Sequence, residues 1–344
     1  MPNIFARSPY FIRVAEAGQQ GSKVELFITN STFTTNPQYV LTKLIPASNN
    51  VENLYDISNY IREFVSFNAI STSGDTAAAT PTAQYAKVRV KRYKLVGSVY
   101  TLLDTVDYLA FDGYTYYEQG ALYDLGDYGL DQTNYYYLNT KYPGKLRATV
   151  GANFYARYTN LVTNVQTTLT LASANTYDLP RVRTANLDQG NILEIFNASN
   201  VLQAKYYFYP VEECKYTPVI IDFVNRYGAW QREIFFKASN DSFAVENTEY
   251  NLLQSNVYNY NTLEGQRKTF NTNGRKSIKV NTGWVDESWK EVLKQIMLSE
   301  RILIDLYPAK INTKSTELFK HINTKQINYS LEFESSFDVI NSVV

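Results

Sequence analysis

The chain has very little of the side-chain chemistry that most enzymes use for covalent and acid–base catalysis. Its 344 residues include one cysteine, Cys214, and one histidine, His321. A single cysteine permits neither an intrachain disulfide nor a thiolate metal cluster. With one thiol, one imidazole and no Gly-x-Ser-x-Gly elbow, Ser-His-Asp or Cys-His catalysis has little to build on. We therefore expect no enzyme activity, no catalytic residue, no cofactor and no metal.

Long apolar runs, net charge and phosphate-binding loops are also missing. No run of about 18 apolar residues occurs, so we expect no membrane span. The 33 basic residues balance 33 acidic ones, which leaves no basic field for nucleic acid. Neither Gly-x-x-x-x-Gly-Lys-Ser/Thr nor Gly-x-Gly-x-x-Gly occurs. The first residues lack the apolar core of a signal peptide, which favours synthesis in a cytoplasm. We expect no small-molecule substrate and no sequence-specific nucleic-acid partner.

Two clusters of charged residues keep alternatives open. The basic face of Lys87, Arg89, Lys91 and Arg92 is more typical of a solvated strand than of a nucleic-acid contact. Aspartates cluster in a Tyr-rich stretch without EF-hand spacing: Asp104, Asp107, Asp112, Asp124, Asp127 and Asp131. Irregular Asp-Gly loops usually form turns. A calcium site, a glycosidase with two opposed carboxylates and sugar stacking on nearby aromatic rings remain alternatives.

Tyrosine is the most overrepresented residue. The chain has 30 Tyr and 18 Phe against 3 Trp and 2 Met, and both abundant types favour half-buried β-sheet surfaces. Tyrosine also suits interfaces, because it offers contact area with a polar tip at low entropic cost. The composition predicts a β-sheet protein with extensive partner contacts. The candidate interface residues are Tyr114, Tyr116, Tyr117, Tyr135, Tyr136 and Tyr137.

Short strands separated by turn signals predict a β-sandwich domain over residues 1–115. Residues 23–29 and 39–44 read as strands, and the alternating residues 85–93 should pair with residues 100–110 across Gly97-Ser98. Residues 71–83 are small, polar and rich in structure breakers, which predicts a long flexible hairpin loop.

The rest of the chain predicts a connector and a second domain. Residues 116–147 form a Tyr/Gly/Asp-rich connector, and residues 148–344 form a second β-rich domain. The continuous apolar run 219–224 is typical of a buried strand. One amphipathic helix is predicted near 286–299, because Trp289, Val292, Leu293, Ile296 and Met297 fall on one stripe. The fold class is therefore mainly β, an N-terminal β-sandwich plus a second β-rich domain carrying one amphipathic helix.

The segment Asn225-Arg226-Tyr227-Gly228-Ala229-Trp230 predicts a structural turn. Asn225 and Gly228 both tolerate the left-handed backbone of a tight turn, and Tyr227 and Trp230 would pack beside it. The motif therefore has a structural rather than a catalytic interpretation.

Three segments resemble proteins encoded in the structural modules of tailed bacteriophages and prophages of Bacteroidota. They are residues 39–43 with 55–62, residues 110–114, and residues 214–237, which include the turn motif. The resemblance implies a non-enzymatic virion structural protein, a tail, collar or baseplate component made in the host bacterial cytoplasm. It implies a homo-oligomeric ring that contacts other virion proteins. A tail-tip receptor-binding or carbohydrate-binding module is the alternative.

Overall fold

The computed structural model describes residues 3–45, 52–65, 79–81, 85–120, 135–137, 144–211, 215–253, 258–259, 261–286, 289–316 and 326–340. Strands account for 57% of this part and helices for 8%, so the chain is mainly β, as its composition predicts. Most of the predicted loop 71–83 lies outside the described residues, as do Cys214, His321, Asp124, Asp127 and Asp131. In the described part, no helix is long and apolar enough to cross a membrane.

The chain divides into two compact units, neither of which is continuous in sequence. The first comprises Met1–Glu212 and Val224–Arg232, and the second comprises Glu213–Phe223 and Glu233–Val344.

The N-terminal half of the first unit contains a five-stranded sheet and a two-stranded sheet. Its elements are β1 (Asn3–Phe5), β2 (Phe11–Ala15), β3 (Gly21–Thr29), β4 (Tyr39–Leu44), β5 (Glu52–Asp56), α1 (Ser58–Arg62), β6 (Thr80–Pro81), β7 (Ala86–Val96) and β8 (Val99–Phe111). The larger sheet has the order β1-β8-β7-β3-β4, and β2 pairs with β5. The predicted hairpin is confirmed, since β7 and β8 pair antiparallel around Val96 and Val99. Alternate residues of β3 and β7 join Ile12 and Tyr55 in one hydrophobic cluster.

The remainder of the first unit adds two further sheets. The strands are β9 (Tyr135–Tyr137), β10 (Lys145–Val150), β11 (Phe154–Asn160), β12 (Gln166–Leu171), β13 (Asn175–Pro180), β14 (Asn191–Phe196) and β15 (Leu202–Val211). Their orders are β10-β13-β6 and β12-β11-β14-β15-β9. Leu146 and Leu179 of one sheet share a hydrophobic cluster with Tyr158, Leu193 and Phe208 of the other. The predicted boundary at residue 115 follows β8, whereas the one at residue 147 falls within β10, whose Leu146 already belongs to this cluster; the predicted domain division stays a prediction.

The second unit is built on a seven-stranded sheet with the order β17-β16-β20-β21-β22-β19-β18, to which it contributes residues 219–223 of β16 and residues 233–235 of β17. Its elements are β16 (Val219–Val224), β17 (Trp230–Phe235), β18 (Asn240–Asn251), β19 (Arg267–Asp286), α2 (Lys290–Leu298), β20 (Ile302–Ile304), β21 (Tyr307–Ile311) and β22 (Gln326–Ser335). The apolar run predicted to be buried forms β16, of which only Ile220 is partly exposed.

The predicted amphipathic helix is present as α2. Val292, Leu293 and Ile296 are fully buried, and they pack with Trp289 into a cluster that includes Phe235 and Phe333 of the sheet. The Trp289 ring meets the Phe235 ring edge-on, with centroids 5.7 Å apart. The apolar stripe therefore faces the sheet, as its period of 3.6 residues requires.

Candidate functional site

A long two-stranded ribbon is the most exposed feature of the second unit. The strands β18 and β19 pair antiparallel from Asn240 opposite Lys279 to Asn251 opposite Arg267. The next strand, β22, pairs with β19 only from Ser277 to Asp286. We use the name ribbon for β18 together with residues 267–276 of β19, which is the part of β19 that does not pair with β22. At about 3.3 Å per residue, the twelve residues of β18 span roughly 40 Å.

The ribbon has no buried face. All twelve residues of β18 are exposed, and Phe243 and Phe270 are 57% and 63% exposed. Gly274 allows the Phe243 ring to lie across the neighbouring strand, since a Cβ at position 274 would sit 2.4 Å from Phe243 Cζ. A two-stranded hairpin with both faces in water is marginally stable, so this surface gains free energy if another molecule covers it.

Residues near the C-terminus hold the base of the ribbon. Arg275 pairs with Asp338 at 2.8 Å and with Glu334 at 3.2 Å. The Asn273 side-chain amide donates a hydrogen bond to the backbone carbonyl of Ile340, and the Ile340 N–H donates one back to Asn273 Oδ1, both at 3.0 Å. The loop that joins the two strands at the tip exposes Leu253 and Leu263 almost completely.

Charges on the two strands of the ribbon are segregated by sign. The strand β18 has three acidic residues and no Lys or Arg, the acids being Asp241, Glu246 and Glu249. Residues 267–279 of β19 have no acidic residue and five basic ones, Arg267, Lys268, Arg275, Lys276 and Lys279. Within the hairpin no acid stands directly opposite a base, because the three acids face Ile278, Asn273 and Thr269. The acids of β18 form no ion pair with any other described residue.

Among the strands that the structure describes, β18 is the last in its sheet, so its outer edge is an open sheet edge. Proteins commonly protect such edges with Pro, with Lys or with a bulge that twists the strand away. β18 contains neither Pro nor Lys. The irregularity near Glu246 lies on the inner strand, where β19 has the extra residue and Asn271 adopts a φ of +55°. β18 is therefore a regular strand with backbone groups available for pairing.

The predicted turn motif lies between β16 and β17 and belongs to the first unit. Gly228 has a φ of +74°, whereas Asn225 does not have a positive φ. Asn225 acts through its side chain, because Oδ1 accepts hydrogen bonds from the backbone N–H groups of Tyr227 (3.0 Å) and Ala229 (3.1 Å). The Asn225 amide also donates to Gln231 Oε1 at 3.1 Å. Tyr227 and Trp230 are half-buried.

This turn packs closely on the segment that follows β8. The Tyr114 N–H donates a 2.7 Å hydrogen bond to the Arg226 carbonyl. A Cβ on Gly113 would lie 2.5 Å from that same oxygen. Arg147 Nη1 donates to the Gly228 carbonyl at 3.3 Å, while its Nε pairs with Asp178 at 3.0 Å. The motif therefore organises contacts inside the first unit.

The six candidate interface tyrosines occupy different environments. Tyr114 is 8% exposed, and burial raises its pKa above the usual range. Tyr116 is half-buried, with the Arg226 guanidinium 4.4 Å from its ring centroid. Tyr117 is fully exposed. Residues 135–137 form β9, which pairs parallel with Tyr209–Val211 of β15, and the side chains of Tyr135, Tyr136 and Tyr137 lie outside the described residues. Composition had not distinguished these environments.

One face of the sheet β12-β11-β14-β15-β9 carries aromatic side chains, and we call it the outer aromatic face. Its rings are Tyr155, Phe196, Tyr207 and Tyr209. The Tyr155 and Phe196 rings stack at 5.0 Å, and Arg157 lies 4.4 Å from the Phe196 centroid. Tyr207 stacks on Tyr209 at 6.2 Å. Most of this ring surface is occupied by neighbours, and Tyr209 is the most exposed of the four, at 43%.

Glu194 lies in the middle of the outer aromatic face. Arg157 Nη2 is 2.7 Å and Lys205 Nζ is 3.2 Å from its carboxylate. Burial acts to raise the pKa of Glu194, but the hydrogen bonds and charges of Arg157 and Lys205 outweigh burial and hold that pKa below its usual range. The carboxylate therefore stays ionised and joins three adjacent strands.

The described aspartates of the Tyr-rich cluster are all bound to arginines. Arg89 makes a two-pronged contact with Asp107 at 2.8 and 2.9 Å, and Arg92 pairs with Asp104. Arg62 Nε donates to Asp112 Oδ1 at 3.1 Å. Hydrogen bonds from the arginines lower the pKa values of Asp104 and Asp107. In the part of the chain that the structure describes, no three His, Cys, Asp or Glu side chains form a group suited to a metal ion.

No protein-family model matches this chain, and no curated protein has a matching sequence.

Proposed function

We propose that this chain is a non-enzymatic virion structural protein, a tail, collar or baseplate component of a bacteriophage of Bacteroidota. It is made in the bacterial cytoplasm and assembles as a homo-oligomeric ring with other virion proteins. The observation that carries the proposal is the ribbon, in which a twelve-residue edge strand is exposed along its whole length. The phage assignment rests on the three sequence segments described above.

The physical argument concerns what the ribbon leaves in water. Its exposed apolar side chains include Phe243, Val245 and Phe270, and burying one such side chain contributes about 1.5–3 kcal/mol. The open edge of β18 offers backbone hydrogen bonds to a further strand. A stable contact between protein chains buries more than about 1,000 Å². An elongated arm with both faces exposed and apolar side chains among its polar ones supplies such an area, whereas a catalytic cleft would place its carboxylates in a concavity.

We further propose that the two sheets near the N-terminus form the predicted β-sandwich. Ile12 and Val14 of β2 share a hydrophobic cluster with Leu26 of β3 and Val90 of β7. Alternate residues of β2 and β3 face this cluster, as two sheets packed face to face require. Cross-linking side chains of β2 to side chains of β3 tests the arrangement, and it fails if the two sheets cannot be bridged.

The test of the virion role is the composition of purified particles. The chain should copurify with the particles at a fixed ratio to the other tail proteins, and electron microscopy should place it in the tail, collar or baseplate. Its recovery only from the soluble cell fraction, with complete particles lacking it, would refute the proposal.

A shortened ribbon sharpens this test. Joining Val245 to Gly274 through an Asn-Gly turn removes the tip and keeps a two-residue hairpin connection, because these residues stand opposite each other. We expect this variant to fold and to be excluded from particles. An exposed substitution away from the ribbon, Val162→Ala in the first unit, is the control and should enter particles normally.

Carbohydrate binding at the outer aromatic face is a second candidate, favoured by the exposed ring of Tyr209. Sugar rings stack on free aromatic faces, and here neighbouring side chains occupy most of that surface. Glycan arrays probed with the wild type and with Tyr209→Ala test it. Binding that is lost in Tyr209→Ala and kept in Tyr307→Ala, at another exposed tyrosine, supports this candidate, and an array without binding rejects it.

A further inference from the structure

The ribbon has two open edges of opposite charge. The outer edge of β18 carries Asp241, Glu246 and Glu249. The outer edge of β19 is also open over residues 267–272, since β22 pairs with β19 only from Ser277 onward and the residues near the C-terminus bind Asn273 and Gly274. That tip contains Arg267 and Lys268 and no acidic residue. No described strand pairs with either edge at the tip.

The acids and bases are distributed so that a neighbouring ribbon in the same orientation would match them. Side chains alternate between the faces of a strand, and Asn251 stands opposite Arg267. Glu249 therefore projects from the same face as Arg267, and Glu246 from the same face as Lys268. When β18 of one copy lies beside the β19 tip of another, antiparallel as within the hairpin and with Glu249 opposite Arg267, Glu246 lies on the diagonal to Lys268, so both of these acids meet a base.

Symmetric pairing of β18 with itself is disfavoured by the same charges. A two-fold axis between two antiparallel copies of β18 places residues of the same face opposite each other. The two registers with the greatest overlap then set Glu246 against its own copy, or Asp241 against Glu249. Like charges directly opposite one another destabilise a strand pair. The spacing of the carboxylates thus disfavours the simplest dimer relative to the head-to-tail contact.

We infer that copies of this chain join side by side through their ribbons, the acidic edge of β18 in one copy pairing with the basic tip of β19 in the next. This inference rests on the proposed assembly function and names the partner of the ribbon as a second copy. The contact is heterologous, since two different surfaces meet, and such contacts close into rings when the rotation between copies allows it. The result is a continuous antiparallel belt of strands in the order β19-β18-β19-β18.

Charge reversal on each edge tests the inference by complementation. One variant carries Glu246→Lys and Glu249→Lys, and the other carries Arg267→Glu and Lys268→Glu. In each variant alone, β18 of one copy and the β19 tip of the next carry charges of the same sign. We therefore expect self-association, measured by sedimentation velocity, to weaken at least tenfold. In an equimolar mixture every contact between unlike copies again joins opposite charges, so association should return to the wild-type level. A variant that merely failed to fold would not be rescued by mixing.

The control variant carries Glu118→Lys and Asp188→Lys, two exposed reversals in the first unit with the same change in net charge as the first variant. It should associate like the wild type. Defective variants that stay dissociated when mixed, or a control that is equally impaired, would overturn the inference. If the wild type does not self-associate but is recovered in particles, the inference and the homo-oligomeric ring both fail, while the proposed role as a virion structural protein stands.

Discussion

Substitution of Gly228 by alanine probes the close packing of the turn motif. Gly228 has a φ of +74°, and a Cβ there would lie 2.8 Å from the Asp112 backbone nitrogen and 3.0 Å from the Gly113 nitrogen. The left-handed backbone costs alanine about 1–2 kcal/mol, and overpacking against backbone atoms adds about 1–3 kcal/mol. We therefore expect Gly228→Ala to lower the free energy of unfolding by about 2–5 kcal/mol.

The matched control separates the two contributions. Gly97 also has a positive φ, +62°, but a Cβ there would have no atom within 4 Å. Gly97→Ala should therefore show only the backbone cost, about 1–2 kcal/mol. Urea unfolding followed by circular dichroism measures both, and at a slope of about 1–3 kcal/mol per molar the Gly228→Ala midpoint should fall by about 1 M or more. A Gly228→Ala variant no less stable than Gly97→Ala would refute the packing argument.

Three further predictions concern named contacts. Trp289→Ala empties the space between Phe235 and Tyr329 and should cost about 3–5 kcal/mol in urea unfolding. Glu194→Gln should flatten the acid side of the stability–pH profile. The pKa of Glu194 is lower in the folded state than in the unfolded state. The ionised carboxylate therefore stabilises the fold at pH values above the unfolded-state pKa, and this stabilisation is lost as the pH falls through the folded-state pKa. Arg147→Met removes the buried partner of Asp178 and of the Gly228 carbonyl and should cost about 1–3 kcal/mol, whereas Arg13→Met, at an exposed pair with Glu52, should change stability by less than about 1 kcal/mol.

The elements that the sequence predicts well are those with one buried face. The stripe of Trp289, Val292, Leu293 and Ile296 identifies α2, because a helix packed on a sheet must repeat its apolar residues at 3.6-residue spacing. The alternation in residues 85–93 identifies β7 in the same way. In each case burial on one side imposes a period on the sequence.

The ribbon could not be predicted from hydrophobic periodicity, because neither of its faces is buried in this chain. Nothing requires apolar residues to alternate along β18, where polar residues and exposed rings occur on both faces. The usable signal is charge, since all charged residues in 240–251 are acidic and all charged residues in 267–279 are basic. The burial of Tyr114 could not be predicted from the sequence for another reason. Its environment depends on a turn more than a hundred residues later, and composition carries no information on such long-range contacts.

The division of the chain into units has a consequence for its biosynthesis. Residues 224–232 belong to the first unit although residues 213–223 precede them in the second. A nascent polypeptide that has reached Glu212 lacks the carbonyl of Arg226 that receives the Tyr114 N–H, and it lacks the Gly228 carbonyl that receives Arg147.

The amino-terminal unit therefore cannot finish folding cotranslationally when its main segment leaves the ribosome. It must wait until Arg232 has emerged, after which residues 233–344 can complete the other unit. Fragments cut at Glu212 should be recovered as incompletely folded, protease-sensitive material, whereas those extended through Arg232 contain every residue that this unit needs.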